Sequence, residues 1–375
     1  MEQFDIYFGS SITQQVSVEE RKNIYRILER NSKIRRILPD HINREDIHAW
    51  SARKIAEGTN FYERDLWDVA STDGMVADLN DISTGVGYEM AAQVLHFGRP
   101  VLALVKEGVK VTALACQNTE PRFTFKTYTN EEQLHRIINE WLVEVEKAKT
   151  QRGKFIVLEG ADYCGKDTQL GMLAGYLFSK DDRTFPSLTR EHFGVLRPKI
   201  REILKSSRDI NQTSSELADL FIADRKDHLF HAILPDIGKG RIVLCSRYQL
   251  STCAYQPAQL YFAILKDNRD EKLAEEKETI FLEELLKRQE VFPEPDLTIV
   301  LDIPAEERRK RALEKQKSTT PDKFEADLVL QERVNDNYLR LVEKLNIGNV
   351  VNVCGVGPKK AVFERIKGWV DRIVN

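Results

Sequence analysis

Short apolar runs of four or five residues alternate with longer amphipathic stretches, and they do so twice along this chain. Runs at 5–8, 75–79, 101–105 and 123–126 read as buried strands. The stretches 18–30, 61–71, 87–97 and 130–148 carry the three-to-four-residue period of helices. The polar segment Lys149-Thr150-Gln151-Arg152-Gly153 then breaks the pattern, and a fresh apolar run at 155–158 restarts it. Further strands are expected at 241–245, 297–301 and 349–353, with helices at 169–178, 216–234 and 328–345. Alternation of this kind points to parallel sheets covered on both faces. The expected fold class is therefore α/β, with two doubly wound parallel-sheet domains spanning 1–149 and 154–375. The charge-dense stretch 267–288 reads as a solvated helix face.

Composition narrows the functions open to such a chain. Of 375 residues, 42% are apolar, enough for two cores and too many for a largely disordered protein. The formal net charge is -3, with 19 basic and 23 acidic residues up to position 150 and 37 and 36 beyond it. Neither part has the basic excess of a protein that grips a nucleic-acid backbone. Small anions remain open, because they need only a local site. Cys116, Cys164, Cys245, Cys253 and Cys354 are scattered without a C-x-x-C pair, which argues against a disulfide framework or a cysteine-built zinc site. No apolar stretch is long enough to span a bilayer, and the opening residues read as a strand. The expectation is a cytoplasmic protein without a membrane partner.

One segment carries a recognisable chemistry. Leu158-Glu159-Gly160-Ala161-Asp162-Tyr163-Cys164-Gly165-Lys166-Asp167-Thr168 follows an expected strand and opens an expected helix. Gly160, Gly165 and Lys166 fit G-x-x-x-x-G-K. In such a loop, backbone N–H groups wrap a polyphosphate and the lysine reaches its terminal phosphates. The hydroxyl residue that usually follows the lysine, and binds Mg²⁺, is here Asp167, with Thr168 one place later.

The surrounding segments resemble the thymidylate kinases, in order, from about residue 154 to the end. Besides the phosphate loop, these are Thr189-Arg190-Glu191, Leu220-Phe221-Ile222-Ala223-Asp224-Arg225, Ser246-Arg247-Tyr248 with Ser251-Thr252 and Ala254-Tyr255-Gln256, Pro295-Asp296-Leu297-Thr298, and Asp322-Lys323-Phe324-Glu325. The resemblance implies ATP and Mg²⁺ as cofactors and dTMP as substrate. ATP would contact Gly160, Tyr163, Cys164, Gly165, Lys166, Asp167 and Thr168. Phe221 would stack on the base, with Arg225 and Thr252 reading it, Tyr255 crowding the sugar 2′ position, and Arg190 and Ser251 completing the substrate site. Arg247 and Asp162 would hold the acceptor phosphate and sugar end. A lid arginine, Arg311, would stabilise the transferred group, although Arg308, Arg309 and Arg311 equally fit a solvated helix face. His192 stands where the family usually has proline, and a loop-packing role is expected of it. Asp167 and Ser246 exchange the hydroxyl and carboxylate that related kinases place around Mg²⁺, so the metal site is expected in swapped form.

The first part holds a second constellation. Residues 78–89 run from a strand into a helix through Gly85 and Gly87, placing Glu89 near the positive end of that helix. Helix dipole and unpaired N–H groups are expected to keep Glu89 ionised, which suits a nucleophile, and Asp65 offers a second carboxylate. By spacing alone this is equally a turn and a capped helix. Ile6-Tyr7-Phe8-Gly9-Ser10-Ser11, Tyr62-Glu63-Arg64-Asp65-Leu66, Ser83-Thr84-Gly85-Val86-Gly87-Tyr88-Glu89 and Gly98-Arg99-Pro100 resemble 2′-deoxynucleoside 5′-phosphate N-hydrolases, relatives of the nucleoside 2-deoxyribosyltransferases. The resemblance implies Glu89 as nucleophile, Asp65 as acid/base, Tyr7 positioning the nucleophile, and Ser11, Ser83, Gly85 and Gly87 around a 5′-phosphate. Thr112 matches a position supplied by a second subunit, so a homodimer is implied. Thr13 replaces an arginine of the family. The whole chain then reads as a fused N-glycosidase and thymidylate kinase. Deoxyribosyl transfer between bases, or a nucleotide sensor with an inactive kinase half, are the alternatives.

Overall fold

The computed structural model describes all residues except 1, 12–17, 43, 45, 181–184, 206–212, 317–322, 346–348 and 375. Thr13 and Asp322 lie outside the described residues. The chain forms two compact units, Met1–Arg152 and Gly153–Asn375.

The first unit is built on a five-stranded sheet: β1 (Phe4–Gly9), β2 (Ile34–Leu38), β3 (Gly74–Asp78), β4 (Val101–Lys106) and β5 (Phe123–Tyr128). Its spatial order is β2-β1-β3-β4-β5 and every pairing is parallel. Strands β1 and β3 are buried throughout, which is why they read as continuous apolar runs. Phe4, Ile6 and Phe8 pack with Ile24 and Leu28 of helix Val18–Glu29 and with Ile138, Trp141 and Leu142 of helix Glu131–Thr150. Strand β2 escapes a hydrophobicity reading because it is an edge strand carrying Arg35 and Arg36, both paired to the buried Asp5 of β1.

The second unit repeats the architecture with β6 (Phe155–Glu159), β7 (Ser187–Arg190), β8 (Val243–Ser246), β9 (Leu297–Asp302) and β10 (Val350–Cys354), ordered β10-β9-β6-β8-β7 and again all parallel. Edge strand β7 is four residues long, too short for periodicity to reveal. Helix Gln249–Asn268 follows β8 and is buried along its first half despite Pro257. The 267–288 segment holds helix Glu271–Arg288, whose Phe281, Leu282 and Leu285 are buried. Gly153 opens this unit with its N–H on the Ile237 carbonyl. A Cβ there would stand 1.8 Å from the Arg241 oxygen.

In both sheets the chain leaves the first strand in one direction and later returns to its other side. A crevice therefore opens at the carboxyl end of β1 in the first sheet and of β6 in the second. Among the described residues no helix is long and apolar enough to cross a membrane, and no cluster of three or more His, Cys, Asp or Glu side chains could hold a metal.

Candidate functional site

The loop 160–165 leaves β6 and feeds helix Lys166–Lys180. Its path requires glycine at two points. Gly160 takes φ 135° and Gly165 φ 99°, and a Cβ on Gly160 would lie 2.6 Å from the Leu301 carbonyl oxygen. Lys166 is buried in the first helical turn with Nζ 3.5 Å from Asp162 Oδ1. A helix N-terminus, a wrapped backbone and a fixed ammonium together make an anion site of polyphosphate type.

Beside the loop lies a cavity of about 150 Å³ whose walls include Asp162, His192, Phe221, Arg247, Thr252 and Tyr255. Arg247 Nη2 donates to Asp162 Oδ1 and to the Tyr255 hydroxyl at 2.9 Å, and the guanidinium lies 4.7 Å above the Tyr255 ring. The Tyr255 hydroxyl donates to Asp162 Oδ2 at 3.0 Å, and Gln331 Nε2 donates to the same oxygen at 2.9 Å. Burial alone would raise the Asp162 pKa, but the charges of Arg247 and Lys166 outweigh it and hold it at about 2. Gln331 has no sequence signal, since it reads as one more polar residue on an amphipathic helix.

Other expected residues sit differently. Arg225 is fully buried. Its Nε and Nη2 donate to Glu191 at 2.6 and 2.5 Å, Nη2 also reaches the Tyr248 carbonyl and Thr252 Oγ1, and Nη1 donates to Gln289. Four of its five N–H groups are used in this way and Arg225 does not line the cavity, so it braces the pocket wall from behind. Ser251 lines the cavity, yet its hydroxyl donates to Glu159 Oε2 at 2.6 Å. Arg190 is exposed at the end of β7, opposite Ser246 in register. Arg311 departs from the expected lid role. Its three nitrogens donate to Glu307, to the Cys164 carbonyl at 3.1 Å and to the Gly355 carbonyl at 3.0 Å, which ties it to the back of the phosphate loop. A further cation near the loop is Lys315, 5.3 Å from the Tyr163 ring centroid and 2.7 Å from Glu325 Oε1.

Asp167 and Ser246 lie within hydrogen-bonding distance of each other. Ser246 Oγ donates to Asp167 Oδ1 at 2.8 Å, joining the first turn of the loop's helix to the end of β8. One carboxylate and one hydroxyl beside a phosphate loop suit Mg²⁺, which keeps several waters and binds few protein oxygens.

The first unit's crevice gathers the carboxylates of Glu89, Asp65 and Asp68, with Arg64 as their nearby cation. Tyr7 is buried and hydrogen-bonded to Glu89, and Glu89 Oε2 lies over Gly9, where a Cβ would come within 3.0 Å of it. Glu89 was expected to be ionised. Instead burial, helped by the Asp65 charge and opposed by the Tyr7 hydrogen bond, raises its pKa to about 7. The helix runs Thr84–Ala91, so Glu89 lies in its second turn, beyond the unpaired N–H groups meant to stabilise its charge. The expected glycine turn is likewise corrected. Gly85 and Gly87 are helical, and Ser83 caps the helix by accepting from the Val86 N–H at 3.3 Å. The expected 87–97 helix is that short helix followed by a π-turn at Ala92–His96.

Asp65 Oδ1 accepts from Arg64 Nε and Nη2 at 3.0 and 2.6 Å; burial nonetheless raises its pKa. One turn on, Asp68 is raised to about 6 by burial and by the Asp65 charge. Asp68 escaped the sequence reading because a lone acid on an amphipathic helix looks solvated. Arg64 also donates to His41 Nε2 at 3.1 Å, and His41 stacks on Trp50 at 4.4 Å. Ser11 is buried, with its carbonyl accepting from Arg21. Thr112 is exposed and lines a groove with Gly87, Met90, Leu95 and Leu114, which Glu89 and Asp65 do not line.

A phosphate loop at the switch point of a β10-β9-β6-β8-β7 parallel sheet, facing an arginine-anchored pocket, defines the second unit as a P-loop nucleotide-binding unit. The thymidylate kinase family model matches residues 158–288. A thymidylate kinase of Desulfotalea psychrophila is 37% identical over 177 residues, which are 47% of this chain and 77% of that one. A probable thymidylate kinase of Pyrococcus abyssi is 36% identical over 206 residues, 54% of this chain and 88% of that one. A solved thymidylate kinase structure from Candida albicans aligns with 59% of this chain and 92% of its own, at 21% identity and a TM-score of 0.46. Through its second unit the chain belongs to the thymidylate kinase family.

Proposed function

We propose that the second unit transfers a phosphoryl group from Mg·ATP to dTMP. The observation that carries this reading is the Asp162–Arg247–Tyr255 constellation set between Lys166 and the 150 Å³ cavity. Phosphoryl transfer needs positioning and charge neutralisation more than covalent chemistry. The loop N–H groups and Lys166 hold the donor phosphates. Arg247, kept rigid by Asp162, binds the acceptor phosphate and aligns its oxygen for in-line attack. Tyr255 closes the sugar side, and Thr252, held by Arg225 from behind, reads the base. Lys315, rather than Arg311, meets the charge developing on the transferred group. Asp167 and Ser246 would hold Mg²⁺, which would supply positive charge against the donor phosphates. Formation of dTDP from dTMP, strictly dependent on ATP, tests this; its absence at saturating substrate rejects it.

We propose further that the first unit hydrolyses the N-glycosidic bond of a deoxynucleoside 5′-monophosphate. What supports this is a nucleophile-bearing crevice with three carboxylates of raised pKa and one positioning phenol. Glu89, once deprotonated, attacks C1′ as the C1′–N bond breaks towards the base. A protonated carboxyl at Asp65 or Asp68 delivers the proton that the departing nitrogen takes up, and water then cleaves the glycosyl ester. Tyr7 donates to Glu89 and fixes its angle. A second copy docked on the Thr112 groove, where Leu95 and Leu114 are exposed, makes the working form a homodimer. Release of free base from a panel of monophosphates tests the chemistry, and adding a second base separates hydrolysis from transfer. Light scattering tests the dimer.

A further inference from the structure

One face of the Phe221 ring, which lines the cavity, is covered by a neighbouring side chain. The His192 imidazole lies on it with ring centroids 4.6 Å apart and planes 20° from parallel, and Phe221 is only 7% exposed. Nothing polar holds the imidazole there, since its Nδ1 is buried with no hydrogen-bond partner. The backbone just beyond is fixed, with the N–H groups of Phe193 and Gly194 donating to Asp224 at 2.8 and 2.9 Å and the Phe193 ring stacked on His228. Clearing Phe221 therefore calls for a change of the His192 rotamer, and not for movement of the backbone that follows it. Burial and the surrounding Arg247, Arg225, Arg197 and Arg201 push its pKa down to about 3, so the ring that sits there is neutral, as a pyrimidine is.

We propose that His192 is a built-in competitor for the base site: a neutral flat ring stacked on Phe221 that the incoming base must displace. It thereby sets how strongly a base must stack to be accepted. This rests on the reading of the cavity as a nucleoside monophosphate site.

The test is dTMP binding by calorimetry without ATP, beside steady-state kinetics. Removing a stacked ring should tighten binding, so His192→Ala should bind dTMP about three- to tenfold more tightly. The KM for dTMP should fall equally, with kcat and the KM for ATP unchanged. His192→Phe, a stronger stacker, should weaken binding. In the wild type, the His192 ring protons should resonate upfield over Phe221 and move downfield as dTMP is added. Unchanged or weaker binding in His192→Ala, with melting temperature retained, overturns the proposal and makes His192 a wall or packing residue. If His192→Ala does not fold, tighter binding by His192→Phe, or ring protons that stay upfield at saturation, overturns it equally. If neither wild type nor variant binds dTMP, the nucleotide reading itself has failed and the competitor falls with it.

Discussion

Asp162 and Glu89 occupy equivalent places, each in the crevice beyond the first strand of a parallel five-stranded sheet, yet their chemistry diverges. Asp162 is flanked by Arg247 and Lys166 and stays ionised down to about pH 2. Glu89 has Tyr7 and another carboxylate for company and holds its proton to about pH 7. The scaffold supplies the crevice; the neighbours decide the charge. A crevice of matched charge suits gripping and aligning phosphates. A crevice of crowded acids suits proton traffic at a breaking bond.

The sharpest break of this contrast is Glu89→Gln, which should lower base release more than about a thousandfold by removing the nucleophile. Phosphorylation of dTMP should be untouched, and loss of both activities in a folded protein would reject two independent sites. Next, Arg247→Ala should lower kcat/KM for dTMP about a hundredfold or more, because it removes the acceptor-phosphate donor. It should also make Asp162 behave like Glu89, and carboxyl ¹³C titration should show its pKa rising. A third test uses pH. The folded pKa of Glu89 lies above its ordinary 4.5, so its contribution to stability is present below that pH and lost as pH rises through about 7. Asp162 is depressed below its ordinary 3.8, so its contribution is present above 3.8 and lost as pH falls through about 2. Calorimetric unfolding should then show wild type losing ground to Glu89→Gln between pH 5 and 8. Against Asp162→Asn it should gain ground between pH 2 and 4. Comparison with the variants isolates each group from His41, which titrates in the opposite sense to Glu89.

The smallest expected effect concerns the Ser246–Asp167 pair. Asp167→Ser should weaken Mn²⁺·ATP binding, read by the manganese spin signal, and Ser246→Asp should crowd two carboxylates. The double variant should recover, with a coupling of about 0.5–3 kcal/mol. Additive losses would mean the two positions act separately.

The phosphate loop was legible because its glycines are demanded by backbone geometry, and geometry of that kind leaves a spacing in the sequence. The central strands were legible because both their faces are buried. The protonation of Glu89, the company of Asp68 and the placing of Lys315 were not, because each depends on neighbours brought from distant segments. Edge strands β2 and β7 were hidden by their own exposure. Arg225 shows the converse error. Its motif pointed to a ligand, while most of its donors are spent on Glu191, Gln289 and Thr252.

Gly153 has a consequence for where this chain can be cut or lengthened. Any side chain at that position would collide with the Arg241 main chain, which flexible side-chain movement cannot relieve. The seam between the units therefore carries its own marker. Lengthening the segment ahead of Gly153 should be tolerated, whereas replacing Gly153 should not.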